Sequence, residues 1–302
     1  MNFLPFTYNF DNSTSVQQQT VEFLENNKEI DRQLFELCWA FESIKDLIPH
    51  TTESWWSGHY FPITEAFEEF EISFLLCSQG LYKQSMTSLR SVLETGLLSV
   101  YYNINNEGHK TVQGWLQSED GKKNDTPYFK EIWKILIKHP NILKFQDAYD
   151  LCTEIQNLEY LHNYVHSKGA KYSNQIGLLK SNTQTFEKTG FSNWLETAQK
   201  VVRIILTLHL LKFPIGIIDY DFSKKFGIDI PMIGVLNSAQ ISRLKSVLGA
   251  KHFEELLNIA LEDNSVIDLI TQIESMTDIS QTEIDKQIET INRIIDKNQN
   301  PT

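Results

Sequence analysis

The chain has 302 residues, of which 41% are hydrophobic, and a net charge of −12 at pH 7. That length and apolar content are enough for a large buried core, so the composition indicates a globular protein and excludes a disordered one. The acidic balance excludes extended nonspecific binding to the polyphosphate backbone of nucleic acids, but it leaves room for a local basic pocket.

The cysteines and the apolar windows indicate the cellular compartment. Cys38, Cys77 and Cys152 lie far apart, form no C-x-x-C pair and are odd in number, so we expect neither a disulfide framework nor a thiolate zinc site. The first ten residues lack the basic start and apolar run of a signal peptide. The most apolar window, 204–218, is shorter than the about 20 residues of a bilayer span. We therefore predict a cytoplasmic protein with no membrane role.

The first third of the chain reads as helices. Apolar residues recur at intervals of three and four over 16–48, which predicts one long amphipathic helix or a broken pair. The aromatic-rich loop 50–61 is expected to cap the core rather than to line a ligand pocket. Pro62 at a first-turn position predicts a helix over 62–79, and a second follows over 81–104. Two antiparallel helices are the simplest result.

Helices also dominate the middle of the chain. The apolar spacing predicts helices over 128–138, 142–168 and 193–213. The polar stretches 105–126 and 172–190 show no durable period and are predicted as loops, the first with at most one short turn.

The last part of the chain is acidic and helical. Glycines and prolines over 214–233 indicate an irregular connector with room for a short strand. Residues 251–302 hold eleven acidic against four basic residues. Four further helices are predicted, over 238–248, 250–261, 265–276 and 281–297. We therefore predict an all-α protein with a helical bundle over 1–215, a connector over 216–233 and a small acidic helical appendage over 234–302.

Chemistry-bearing residues are densest between residues 157 and 169. On a helix, Glu159, His162 and His166 would share one face. Di-iron bundles use a Glu-x-x-His spacing but need two copies, and the chain has one. The three side chains have the types to hold a single metal, but they serve equally as a hydrogen-bonded polar seam, which we favour. We therefore predict no metal and no cofactor.

Two segments resemble the HEPN superfamily. The first is 84–94, which carries Arg90 and Glu94 one turn apart, and the second is 161–166. The HEPN motif is an arginine, a polar residue, three variable residues and a histidine. In this sequence His162 stands at the polar position and His166 at the terminal histidine, whereas Leu161 replaces the arginine.

The resemblance covers about residues 60–215 and implies a dimeric, all-helical bundle. Active members of the superfamily are metal-independent ribonucleases common in toxin–antitoxin and antiphage systems of bacteria. Metal-free RNA cleavage needs a base, an acid and a cation. His162 and His166 are candidates for the first two, because an ordinary histidine pKa is near 6.5. Arg90 or Lys168 would supply the cation.

The candidate site residues follow from this resemblance. The candidate catalytic set is His166, His162, Arg90 and Glu94, and the candidate substrate-binding set is Lys168, Asn163 and Tyr164. The alternative is a degenerate, noncatalytic helical scaffold or adaptor, in which both histidines are structural and the bundle binds protein partners. Arg203 and His209 show a similar spacing, but six helical residues turn through about 600° and place them on different faces.

The final helix carries an apolar seam. Ile284, Ile288, Ile291 and Ile295 follow intervals of four, three and four residues in an otherwise polar helix. Such a strip is expected to pack back onto the protein or against another chain. The expected partners are thus a second copy of the chain or a cognate protein, with RNA as the candidate substrate of the enzyme.

Overall fold

The computed structural model describes residues 10–49, 58–104, 110–118, 126–166, 168–228, 230 and 234–299, and for 297–299 the backbone alone. Every regular element within these ranges is a helix, so the all-α class predicted from the sequence is confirmed. None of the described helices is long and apolar enough to cross a bilayer. Most of the aromatic loop 50–61 lies outside the described residues.

Sixteen α-helices follow one another along the described parts of the chain. The first six are α1 (Phe10–Asn26), α2 (Lys28–Glu42), α3 (Ile44–Leu47), α4 (Phe61–Ser78), α5 (Tyr82–Ile104) and α6 (Lys110–Leu116). The next five are α7 (Phe129–Leu136), α8 (Pro140–Tyr149), α9 (Leu151–Gln156), α10 (Leu161–Val165) and α11 (Lys188–Lys212). The last five are α12 (Ser223–Phe226), α13 (Ser238–Leu248), α14 (Ala250–Leu261), α15 (Asn264–Ser275) and α16 (Gln281–Gln299).

The centre of the molecule is built by α4, α5 and α11. Helices α4 and α5 form the predicted antiparallel pair, and α11 packs along α5. Polar contacts tie the three together inside the core, because Trp194 Nε1 donates to Ser73 Oγ at 2.8 Å and Ser73 Oγ donates to the carbonyl of Ser85 at 2.8 Å. Since both serines and the indole are buried, each polar atom needs its partner.

The single helix predicted over 142–168 is wrong. Asp150 has φ 46° and lies in the left-handed region, which separates α8 from α9. The side chain of Gln146 supports this break: its Nε2 donates to Asp150 Oδ1 at 2.9 Å, and its Oε1 accepts from the N–H of Cys152 at 2.8 Å. A second break follows, where Leu161 N–H bonds back three residues to Leu158 and His162 N–H to Glu159. These tighter turns separate α9 from the short α10.

The C-terminal helices pack onto the bundle. Helix α13 contacts α2 and α11, and α14 contacts α8 and α11. Their apolar residues, such as Leu244 and Leu256, belong to the same hydrophobic core as α5 and α11. The described connector contains a 3₁₀ turn (Pro214–Ile217) and α12, and its described residues form no strand. The division into bundle, connector and appendage stays a prediction.

Candidate functional site

Helix α10 contains His162, is followed directly by His166, and lies against α5. It contains only five residues, and Leu161 and Tyr164 are the ones that it buries. His162 and His166 lie on the side turned away from the core and are both exposed. Packing of the apolar side therefore determines which side of α10 presents the imidazoles to solvent.

The two histidines form a close pair. Their ring centroids are 4.2 Å apart, with 51° between the ring planes. The pKa of His162 is lowered, first by partial desolvation and then by the positive charges of His166, Arg90 and Lys168, while Glu159 opposes this shift. These effects favour the neutral imidazole, the form that is able to accept a proton.

Arg90 reaches this pair from α5. Its guanidinium Nη2 donates to Glu94 Oε1 at 2.6 Å, and the side chains are 26% and 51% exposed respectively. Partial desolvation raises the pKa of Glu94, and the charge of Arg90 opposes that rise. The charge of Arg90 contributes to the lowered pKa of His162, whereas that of Glu94 does not. Arg90 therefore acts electrostatically on His162, and Glu94 contacts Arg90 without acting on His162 itself.

The three predicted substrate-binding residues lie in different environments. Lys168 is exposed just past the end of α10, and its N–H donates to the carbonyl of Asn163 at 3.1 Å. Asn163 is half-buried. Tyr164 is buried, on the side of α10 away from the histidines. Their roles in substrate binding stay predictions.

Two other arrangements considered from the sequence were a single-metal site at Glu159, His162 and His166, and the Arg203–His209 pair. Within the described ranges, no three His, Cys, Asp or Glu side chains are grouped to hold a metal ion, Glu159, His162 and His166 included. His209 is fully buried, and its Nδ1 donates to the carbonyl of Ile205 at 2.8 Å. Arg203 instead donates to the carbonyl of Leu248 at 3.3 Å. Arg203 and His209 therefore each bond to a backbone carbonyl, and His209 is a core residue, as its apolar neighbours indicate.

A cleft of about 420 Å³ lies beside α10, and sequence reasoning missed it. Tyr160, Tyr164 and Tyr172 supply its aromatic walls, and Met86 of α5 also lines it. Tyr164 and Tyr172 meet edge to face, with centroids 4.9 Å apart. The one sequence signal was the pair of tyrosines four residues apart, because the rest of the lining comes from distant segments.

The chain matches no family model, no curated protein and no solved structure. The relation to the HEPN superfamily is therefore a resemblance carried by segments 84–94 and 161–166.

Proposed function

We propose that this protein is a metal-independent endoribonuclease of a bacterial conflict system, with its active site at the exposed end of α10. The observation that carries the proposal is the pair of exposed imidazoles, 4.2 Å apart, beside the positive charges of Arg90 and Lys168. The membership of a conflict system follows from the HEPN resemblance.

The proposed reaction uses the 2′-hydroxyl of RNA as the nucleophile. His162, whose lowered pKa favours the neutral imidazole, removes the 2′-hydroxyl proton as the oxygen attacks phosphorus. The bond from phosphorus to the 5′-oxygen breaks, and His166 donates a proton to that oxygen. The products are a 2′,3′-cyclic phosphate and a 5′-hydroxyl. No electrons are exchanged, and each proton has a donor and an acceptor.

Arg90 would stabilise the charge that builds up on the phosphoryl oxygens. A guanidinium carries five N–H groups, and the hydrogen bond to Glu94 engages one nitrogen, so donors remain for an anion. This role also accounts for Leu161 at the position of the motif arginine. Leu161 is 1% exposed and packs in the core, so a side chain at that position does not face the histidines. Arg90 supplies the cation from the neighbouring helix.

The experiment is an RNA-cleavage assay with purified protein. Fluorescently labelled single-stranded RNA should be cut in the presence of EDTA, and the same sequence carrying 2′-O-methyl groups should remain intact. His166→Ala should abolish cutting without lowering the melting temperature, because the side chain is exposed. Cutting that needs a divalent metal, or that survives in His166→Ala protein, would contradict the mechanism.

A second candidate function is a noncatalytic adaptor. It is favoured by the exposed apolar strip on α16, where Ile288, Ile291, Ile294 and Ile295 are 41–55% exposed. Isolated apolar residues are common on surfaces, but four on one helix suggest a protein-binding surface. Wild-type protein that is inert on RNA and assembles through this strip would favour the adaptor.

A further inference from the structure

The tyrosine-lined cleft and the histidine pair occupy opposite sides of α10. Residues two apart on a helix are separated by about 200°, so within α10 Tyr164 faces away from His162. Both sides border α5, where Met86 lines the cleft and Arg90 acts on His162. Since Met86 and Arg90 are about one turn apart, the two features lie within the span of a short oligonucleotide.

The lining of the cleft suits binding rather than catalysis. Among the described residues, the lining contains three tyrosines, apolar contributions from Met86 and Leu179, and no Asp, Glu, His or Cys. Burial raises the pKa of Tyr164 to about 12, so its phenol is neutral at pH 7. A volume of about 420 Å³ is within the range of small-ligand sites. Such walls accept a flat, π-rich group.

Hydrogen bonds leave usable polar edges in the same cleft. Thr197 Oγ1 donates to the carbonyl of Asn193 at 2.7 Å. Since that bond uses the only Thr197 hydroxyl hydrogen, Tyr160 Oη must donate in its 2.9 Å contact with Thr197. The lone pairs of Tyr160 Oη are then available to an N–H group. The exposed side-chain amide of Asn193 adds both a donor and an acceptor.

Two lysines connect the cleft to the histidines around the C-terminal end of α10. Lys171 is exposed at the rim of the cleft, with its Nζ 5.5 Å from the Tyr172 ring centroid. Lys168, three residues earlier, is one of the positive charges that act on His162, after His166 and Arg90. Phosphates that follow these two ammonium groups would run from the cleft to the imidazoles.

We propose that the cleft is a nucleobase subsite, which holds one unpaired base of a single-stranded RNA while a neighbouring phosphate lies at His162 and His166. The inference rests on the proposed ribonuclease function and assigns single-stranded RNA as its substrate class. Aromatic faces bind unpaired bases by stacking, and a base within a duplex is not free to enter. The amide of Asn193 and the oxygen of Tyr160 meet the edge of the base.

The methyl group of Met86 provides a direct test of binding. The chain has four methionines, so protein labelled with ¹³C at the methionine methyls gives a simple NMR spectrum. Met86 is 1% exposed and lines the cleft, whereas Met276 lies at the end of α15 and serves as the internal control. Met86→Leu assigns the signal. AMP and UMP should shift the Met86 signal through ring currents, and ribose 5-phosphate, which lacks a base, should not.

Variants separate stacking from charge. In a His166→Ala background, which prevents cutting, Tyr172→Ala should weaken binding of a short single-stranded RNA by about tenfold, whereas Tyr172→Phe should bind normally. Lys171→Ala should weaken binding and make it less dependent on salt. Lys180→Ala is the matched control, because Lys180 is exposed on the same loop and outside the cleft. Circular dichroism confirms that each variant is folded.

The outcomes distinguish this inference from the proposed function. RNA cleavage that depends on His166, combined with no Met86 shift and normal binding by Lys171→Ala, overturns the base subsite alone. A base-dependent Met86 shift in a protein that cuts no RNA supports the cleft as a nucleobase site and overturns the ribonuclease. If ribose 5-phosphate shifts the Met86 signal as much as AMP does, the cleft binds the sugar phosphate and not the base, and the inference fails.

Discussion

Arg90 and His162 belong to different helices, yet the charge of Arg90 adds to desolvation and to the charge of His166 in lowering the pKa of the His162 imidazole. Helix α5 therefore affects the protonation of a side chain on α10 as well as packing against that helix. In the proposed site, the same arginine favours the unprotonated base and offsets the negative charge of the phosphoryl group.

The first prediction is that Arg90→Ala raises the pKa of His162. Removal of a nearby positive charge favours the protonated imidazole, so the acidic limb of the pH–rate profile should move to higher pH. Cleavage at pH 7 should fall by about 10²-fold, as expected for loss of one oxyanion-stabilising donor. NMR titration of the histidine Cε1–H signals measures the pKa.

Arg32→Ala is the control for Arg90→Ala. Arg32 also pairs with a glutamate on its own helix, Glu29 at 2.9 Å, but it lies on α2 and does not act on His162. The Arg32→Ala variant should leave both the pKa of His162 and the cleavage rate unchanged. An unaltered His162 pKa in Arg90→Ala protein would show that the arginine has no part in the site.

The second prediction concerns Ser99 and His209 in the core. Ser99 Oγ is 2.9 Å from His209 Nε2, and burial lowers the pKa of His209 to about 4. Because the unfolded state binds the proton more tightly, the contribution of neutral His209 to stability is fully present above pH 6.5. It is lost as the pH drops towards 4. This one group should cost about 2 kcal/mol between pH 7 and pH 5.

The measurement is urea unfolding at pH 7 and pH 5. The double variant Ser99→Ala/His209→Leu replaces both polar partners with apolar groups and removes the titration. It should lose less stability than the wild type over this pH interval. Equal losses in the two proteins would mean that His209 does not remain neutral in the core.

The third prediction concerns the close approach of α5 and α11. A Cβ built on Gly96 would lie 2.4 Å from Ile205 Cδ1, within the core. Gly96→Ala should therefore destabilise the protein by about 1–3 kcal/mol through overpacking, despite the better helix propensity of alanine. Gly114 is the matched control, because it lies in α6 and, leaving aside its chain neighbours and its own helix backbone, no atom of the described residues lies within 4 Å of the added methyl. Gly114→Ala should be neutral or stabilising by up to about 1 kcal/mol in chemical unfolding.

The fourth prediction tests the isoleucine strip of α16. Ile291 and Ile295 are 41% and 46% exposed, so Ile291→Lys/Ile295→Lys should leave the melting temperature nearly unchanged. If another chain covers the strip, the mass measured by light scattering should fall to that of a monomer. Truncation after Ser280 should give the same mass. A lower melting temperature with unchanged mass would show that the strip packs within its own chain.

Local periodicity accounts for what the sequence predicts well. Helices α4, α5 and α11 have apolar residues at helical intervals, and the adjacency of His162 and His166 follows from their spacing of four. The break at Asp150 was not predicted, because a left-handed aspartate stabilised by the Gln146 side chain leaves no periodic signal. The cleft was missed because its walls come from five separate segments, and only the folded chain brings Met86 to Tyr160.

The brevity of α10 limits how the histidine pair can be studied. Five residues make little more than one helical turn, and isolated helices shorter than about 12–15 residues are marginal in water. A synthetic peptide spanning 157–168 should therefore show a random-coil circular dichroism spectrum and ordinary, uncoupled histidine titrations. Grafting the same twelve residues onto another scaffold would transfer the sequence of the motif without the surface of α5 against which α10 packs.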